Sequence, residues 1–126
     1  MTTFKLSYIT LIFFLLWPVQ CFSIVAEDLY PDCKVWQANN YSLNNMKNYD
    51  QVIAAQSCYV YMEALEDMGM SGCMQGVANK FPHQAYKASP KALGQAFINH
   101  MQNNPEHWKY SVYQTAFWFG RKFSCD

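Results

Sequence analysis

What most constrains this chain is a set of four cysteines, Cys33, Cys58, Cys73 and Cys125, lying behind a leader-like start. Lys5 precedes an uncharged, mainly apolar run from Leu6 to Trp17, closed by Pro18. A charged start and a short hydrophobic core are the pattern of a secretory signal peptide, and the run is shorter than the ~20 residues that span a bilayer. Small residues place the cut after Ser23, with Ala26 as the second candidate. The expected layout is therefore a signal peptide over 1–23 and one domain over 24–126. Acylation of Cys21 fits poorly, because Pro18, Val19 and Gln20 are not the small residues that lipoprotein processing uses. In an exported small chain, an even set of cysteines forms disulfides. Three pairings can be drawn. The preferred one joins Cys33 to Cys58 and Cys73 to Cys125, tying the amino-terminal segment to the middle of the chain and the carboxyl terminus to the residues just beyond it. Closing a loop of ~25 residues contributes on the order of 3 kcal/mol in the chain-entropy account.

The middle of the chain, from Tyr49 to Met68, has the strongest helical pattern. At about 100° per residue, Gln56, Glu63, Glu66 and Asp67 share one narrow arc with Tyr59, and most other positions are apolar. That width predicts a central helix covered on several sides. Gly69 and Gly72 are expected to stop it. Cys58 lies within the apolar arc, so its partner must pack on that face.

Before this helix, Glu27 to Asn40 predicts a short helix, and the Asn-rich stretch to Asn48 predicts a loop whose last residue caps the central helix. After Cys73 the segment from Met74 to Ser89 has no sustained period and reads as an ordered loop with a helical turn or two. Ser89 and Pro90 then open a helix as cap and first-turn proline, with Leu93, Phe97 and Met101 as its inward stripe. Asn104 and Pro105 repeat the device for a last helix, in which Trp108, Val112, Ala116, Phe119 and Phe123 face the core. No alternating strand pattern, repeat or low-complexity tract is present. The fold expected is all-α: a small bundle of about four helices stapled by two disulfides.

The charge balance narrows function. All nine acidic side chains lie beyond residue 23, whereas Lys5, one of nine bases, is lost with the leader, so the processed chain is close to minus one. It lacks the basic excess that holds nucleic acid and the basic amphipathic stretch that lies on a membrane. Catalysis has little to work with. Glu63, Glu66 and Asp67 are close carboxylates, but on the solvent arc. His83, His100 and His107 are not spaced with the cysteines as zinc ligands, and thiols paired in disulfides are not nucleophiles. The expectation is a non-enzyme without metal or cofactor. The chain is rich in tyrosine and tryptophan, the residues enriched at binding hot spots; of nine Tyr and four Trp, only Tyr8 and Trp17 fall within the leader. This favours protein–protein interaction.

Several short motifs, in this order and behind a signal peptide, resemble the small periplasmic immunity proteins that protect bacteria from type VI secretion effectors, notably peptidoglycan amidases. They are Cys58-Tyr59-Val60-Tyr61, Cys73, Gly94-Gln95, Asn104-Pro105-Glu106 and Phe123-Ser124-Cys125. Two positions depart from the pattern. Met74 and Gln75 stand where a proline soon follows the loop cysteine, and Ser124 stands where a proline is usual. The segment from Cys73 to Ser89 is also long. The resemblance implies an all-helical, disulfide-stapled enzyme inhibitor, often a homodimer, that pushes a loop or helix end into an effector's active-site cleft. The loop from Met74 to Ser89 is then the candidate contact, through Lys80, Phe81, His83, Tyr86 and Lys87. The alternative is a secreted, disulfide-bonded helical effector or an envelope adaptor.

Overall fold

A computed structural model describes residues 24–76 and 85–125 of the 126-residue chain. It is all-α, with four helices: α1 (Ala26–Ala38), α2 (Tyr49–Met74), α3 (Pro90–Asn103) and α4 (Val112–Phe119). Three 3-10 turns, at Leu43–Asn45, Pro105–His107 and Gly120–Lys122, complete the order, and the described residues contain no strand. The expected leader, residues 1–23, lies outside the described residues.

Helix starts follow local chemistry. Asn48 and Ser89 accept from the backbone N–H of Gln51 and Ala92, as their side chains allow for the otherwise unpaired N–H groups of a first turn. α1 begins differently. Its cap residue, Val25, has no side-chain acceptor. Instead, Ala26 N–H donates to the Tyr110 carbonyl at 2.8 Å and Glu27 N–H to that of Trp108 at 3.0 Å, while Val112 N–H donates to the Ile24 carbonyl at 3.0 Å. A distant stretch of backbone thus caps α1, and the start of the domain is sewn to the start of α4.

α4 begins later than the sequence pattern predicts. Pro105 opens only a 3-10 turn, and the helix starts at Val112. The physical reason is Ser111. It forms a capping box with Gln114, in which the Ser111 hydroxyl accepts from Gln114 N–H and the Gln114 side chain accepts from Ser111 N–H, satisfying two unpaired donors at once. The Trp108 indole N–H donates to the Met101 carbonyl at 2.7 Å, holding the intervening turn against the end of α3.

α2 forms the spine. Its buried positions, Ala55, Cys58, Met62, Leu65, Gly69 and Gly72, recur every three or four residues and make one stripe. α1 and α3 pack on it, and with α4 they enclose Leu29, Trp36, Leu93, Phe97, Ile98, Met101 and Phe119. Both disulfides join the preferred partners. Cys33–Cys58 crosses the buried α1–α2 interface, and Cys73–Cys125 fastens the carboxyl terminus to the end of α2. Trp36 lies edge-on to Tyr41 and Tyr59. The space for its ring exists because position 94 is glycine: a Cβ there would stand 2.8 Å from Trp36 Cζ3.

Two features of α2 correct the sequence reading. The helix is covered along one stripe and not on several sides, since Ile53, Val60 and Met68 are exposed. Apolar width alone does not show whether a second layer exists to cover it. Gly69 and Gly72 also do not stop the helix, which continues to Met74. Gly69 is retained inside it because the Tyr86 ring and backbone press against that face, with the Tyr86 carbonyl oxygen 2.7 Å from where a Cβ would stand. Gly69→Ala should therefore lose stability despite the better helix former. The propensity gain is about 1 kcal/mol and overpacking costs about 1–3 kcal/mol. A lower denaturant midpoint with an unchanged slope is the expected result; a higher midpoint would show that the Tyr86 segment gives way freely.

Candidate interaction surface

The loop singled out from the sequence is fixed at both described ends. At one end Cys73 is tied to Cys125. At the other, Tyr86 N–H donates to the Gly69 carbonyl at 3.3 Å, and the Tyr86 hydroxyl donates to the Leu65 carbonyl at 2.8 Å. The Tyr86 ring lies between Gly69 of α2 and Gly120 after α4 and is 4% exposed. Among the expected contact residues, then, Tyr86 is a core wedge and does not present a surface to a partner. Lys87, next to it, is exposed. Lys80, Phe81 and His83 lie outside the described residues. Burial pushes the Tyr86 phenol up to about 12, with the Tyr113 phenol adding to the effect.

Three kinds of surface chemistry occur on the described residues. The first is the acidic arc of α2. Glu63 and Asp67 are exposed, and the Tyr59 hydroxyl donates to Glu63 Oε1 at 3.3 Å. The charge of Glu63, followed by that hydrogen bond, holds the Tyr59 phenol above its ordinary range. This is a solvated helix face.

The second is apolar. Ile53, Val60 (51% exposed) and Met68 (44%) form a stripe along α2, with exposed Ser57 and Ala64 between them. Beside it, Ile24, Leu29, Ile53, Val60 and Tyr61 line a shallow groove of about 400 Å³ between α1 and α2. Met74, at the start of the loop, is 83% exposed. Exposed apolar side chains aligned in this way are the usual material of protein interfaces.

The third is an aromatic and imidazole cluster where α3 meets α4. His100 Nε2 and His107 Nδ1 are 2.8 Å apart. The Trp118 indole lies 4.2 Å from the His107 ring centroid, and Tyr110 lies beside both. Trp118 and Tyr110 are 38% and 43% exposed. The sequence pattern does not reveal this cluster. It assigns His100 and His107 to helices separated by Pro105 and treats them singly, whereas the 3-10 turn at Pro105–His107 folds the second histidine back onto the first.

No protein family, curated protein or solved structure matches this chain.

Among the described residues no three His, Cys, Asp or Glu side chains are grouped as a metal site would require. No described helix is long and apolar enough to cross a membrane, which, with two disulfides, is compatible with an extracytoplasmic setting.

The anchoring role of Tyr86 is testable through pH. Its folded-state value lies above the ordinary tyrosine value of about 10, so the neutral phenol is favoured by folding. That stability is complete below pH ~10 and is lost as pH rises through the folded value. Tyr86→Phe should cost about 1 kcal/mol at neutral pH through the lost hydrogen bond to Leu65, and should flatten the decline in unfolding free energy above pH ~10. An alkaline decline equal to that of the parent chain would exclude Tyr86 as its source.

Proposed function

We propose that this chain is a periplasmic immunity protein, an inhibitor without turnover of its own, that binds a type VI secretion effector and occludes its active site. The effector class that fits is a peptidoglycan amidase, and inhibition would protect the cell wall. The single observation that supports this reading most is the double anchoring of the segment between Cys73 and Tyr86. A disulfide holds one end and a buried tyrosine the other, so its backbone ends are positioned before any partner arrives. Fixing a loop in advance removes ordering entropy that association would otherwise have to offset. The order of short motifs around Cys58, Cys73, Gly94 and Asn104 supports the same reading.

In this account Lys80, Phe81, His83 and Lys87 supply the contacts, and Tyr86 supplies the anchor in place of the contact first assigned to it. Met74 extends the contact onto the end of α2. The apolar stripe along α2 is then available for pairing of two copies.

The test is direct. The oxidised protein is immobilised and offered the product of the neighbouring gene, and that product is assayed for peptidoglycan cleavage with and without it. Tight binding that abolishes cleavage is expected, weakened at least tenfold, about 1.4 kcal/mol, by Phe81→Ala together with Lys87→Ala at an unchanged melting temperature. An active hydrolase that is neither bound nor slowed would remove this partner and this reading.

A further inference from the structure

The cluster at the α3–α4 junction has an internal order that the immunity reading does not use. The two imidazoles meet end to end, with His100 Nε2 and His107 Nδ1 at 2.8 Å. Their outer nitrogens also face polar groups. The Asn104 amide nitrogen is 2.8 Å from the His100 carbonyl oxygen and 3.4 Å from His100 Nδ1. His107 Nε2 is 4.0 Å from Glu106 Oε1. Only one arrangement of hydrogens satisfies these contacts. The Asn104 amide donates to both the His100 carbonyl and His100 Nδ1, His100 Nε2–H donates to His107 Nδ1, and His107 Nε2–H points toward Glu106. The amide orientation follows from the carbonyl, which needs a donor.

In that arrangement both imidazoles are neutral and each basic ring nitrogen already accepts a hydrogen. A further proton on either would set two donors face to face. Turning the Asn104 amide over would offer oxygen to a protonated His100 Nδ1, but would set that oxygen against the His100 carbonyl. From the turn after α4, the Lys122 ammonium also opposes a positive charge here, whereas Glu106 favours one. The end of α3, where His100 sits, favours one as well through its dipole. α4 contributes Trp118 and Phe119, which are uncharged. Burial, then the neighbouring His107 and Lys122, hold the His100 imidazole below its ordinary range.

We propose that Asn104, His100, His107 and Glu106 form a proton-sensitive latch that closes the α3–α4 junction beneath Trp118 and opens on acidification. The latch connects the last turn of α3, the 3-10 turn and α4, and Trp118 lies on it with its rings at 23° to His107 and 9° to His100. Opening removes the surface on which the indole rests. The sign follows from the lowered His100 value. The unfolded chain takes up this proton more readily, so the stability that the latch contributes is complete above pH ~6.5 and is lost as pH falls through the folded value. An envelope protein facing a variable exterior pH would change its exposed aromatic surface in this way without a ligand. The proposal is independent of any effector.

The oxidised protein is titrated between about pH 7.5 and 4.5, following the assigned imidazole signals of His100 and His107 by NMR and the iodide quenching of Trp118 by difference from Trp118→Phe. The expected result is a coupled titration of the two rings, with Trp118 becoming more accessible over the same interval. His100→Gln, which cannot take up the proton, should abolish the Trp118 transition. Lys122→Gln, a surface change that leaves the hydrogen bonds intact, should move the midpoint to higher pH. Imidazoles that titrate independently, or a Trp118 signal that is flat across the interval, would overturn the latch. Both results are read on the parent chain and stand even if His100→Gln fails to fold.

Discussion

The structure depends first on the cross-link between Cys33 and Cys58. It lies in the buried interface of α1 and α2, beside Ala55 and Met62 on one side and Leu29 and Trp36 on the other. Once it forms, α1 can present only one face to α2, and that face carries the tryptophan that fills the space left by Gly94 of α3. Three helices are thereby registered by one bond and one ring. The second disulfide acts at longer range. It closes a separation of 52 residues, and in the chain-entropy account a loop of that length contributes about 4 kcal/mol. A core of this size needs such help, because a domain of ~100 residues buries a smaller share of its surface than a larger one does.

Much of this was legible from residue types alone, where the governing physics is local. Asn48 and Ser89 cap helices because their oxygens sit at the right spacing from N–H groups that have no other partner. Cys58 lies in an apolar arc, so its partner had to pack on that face, and the preferred one of three pairings joins the partners seen in the structure. The failures arose where a distant part of the chain decides the outcome. Gly69 and Gly72 look like helix stops, yet the helix passes through both, and at Gly69 the Tyr86 ring and carbonyl, from far along the chain, occupy the place of a side chain. Asn104-Pro105 looks like a helix start, yet Ser111 with Gln114 competes better. The apolar width of α2 suggested cover on several sides; width records what a helix could bury and does not say how many neighbours the chain supplies.

The candidate site was legible to a smaller degree. The loop after Cys73 is the candidate because the resemblance to immunity proteins implies it, and its lack of a sustained period agrees with a loop there. The sequence does not separate a residue that holds the loop from one that the loop displays. Tyr86 belongs to the first kind, because its hydroxyl reaches the Leu65 carbonyl inside the helix and its ring has no other space to occupy. The imidazole pair lay beyond sequence reasoning for a related reason. His100 and His107 are seven residues apart, which on one continuous helix would place them two turns apart along its axis; only the tight turn at Pro105 brings them end to end.

The seam between residues 24–27 and 108–112 bears on where a leader could be cut from this chain without disturbing the fold. The Ile24 carbonyl is an acceptor for Val112, and buried Ala26 carries the N–H that Tyr110 receives. A peptidase cut after Ala26 would discard Ile24, Val25 and Ala26 and leave the first turn of α1 with a charged amine where its backbone cap belongs. A cut after Ser23 leaves every one of these groups in place, with a new amino terminus at the rim of the groove that Ile24 helps to line. Among the candidate processing points, the fold thus tolerates the earlier one, and any tag fused to the domain meets the same boundary.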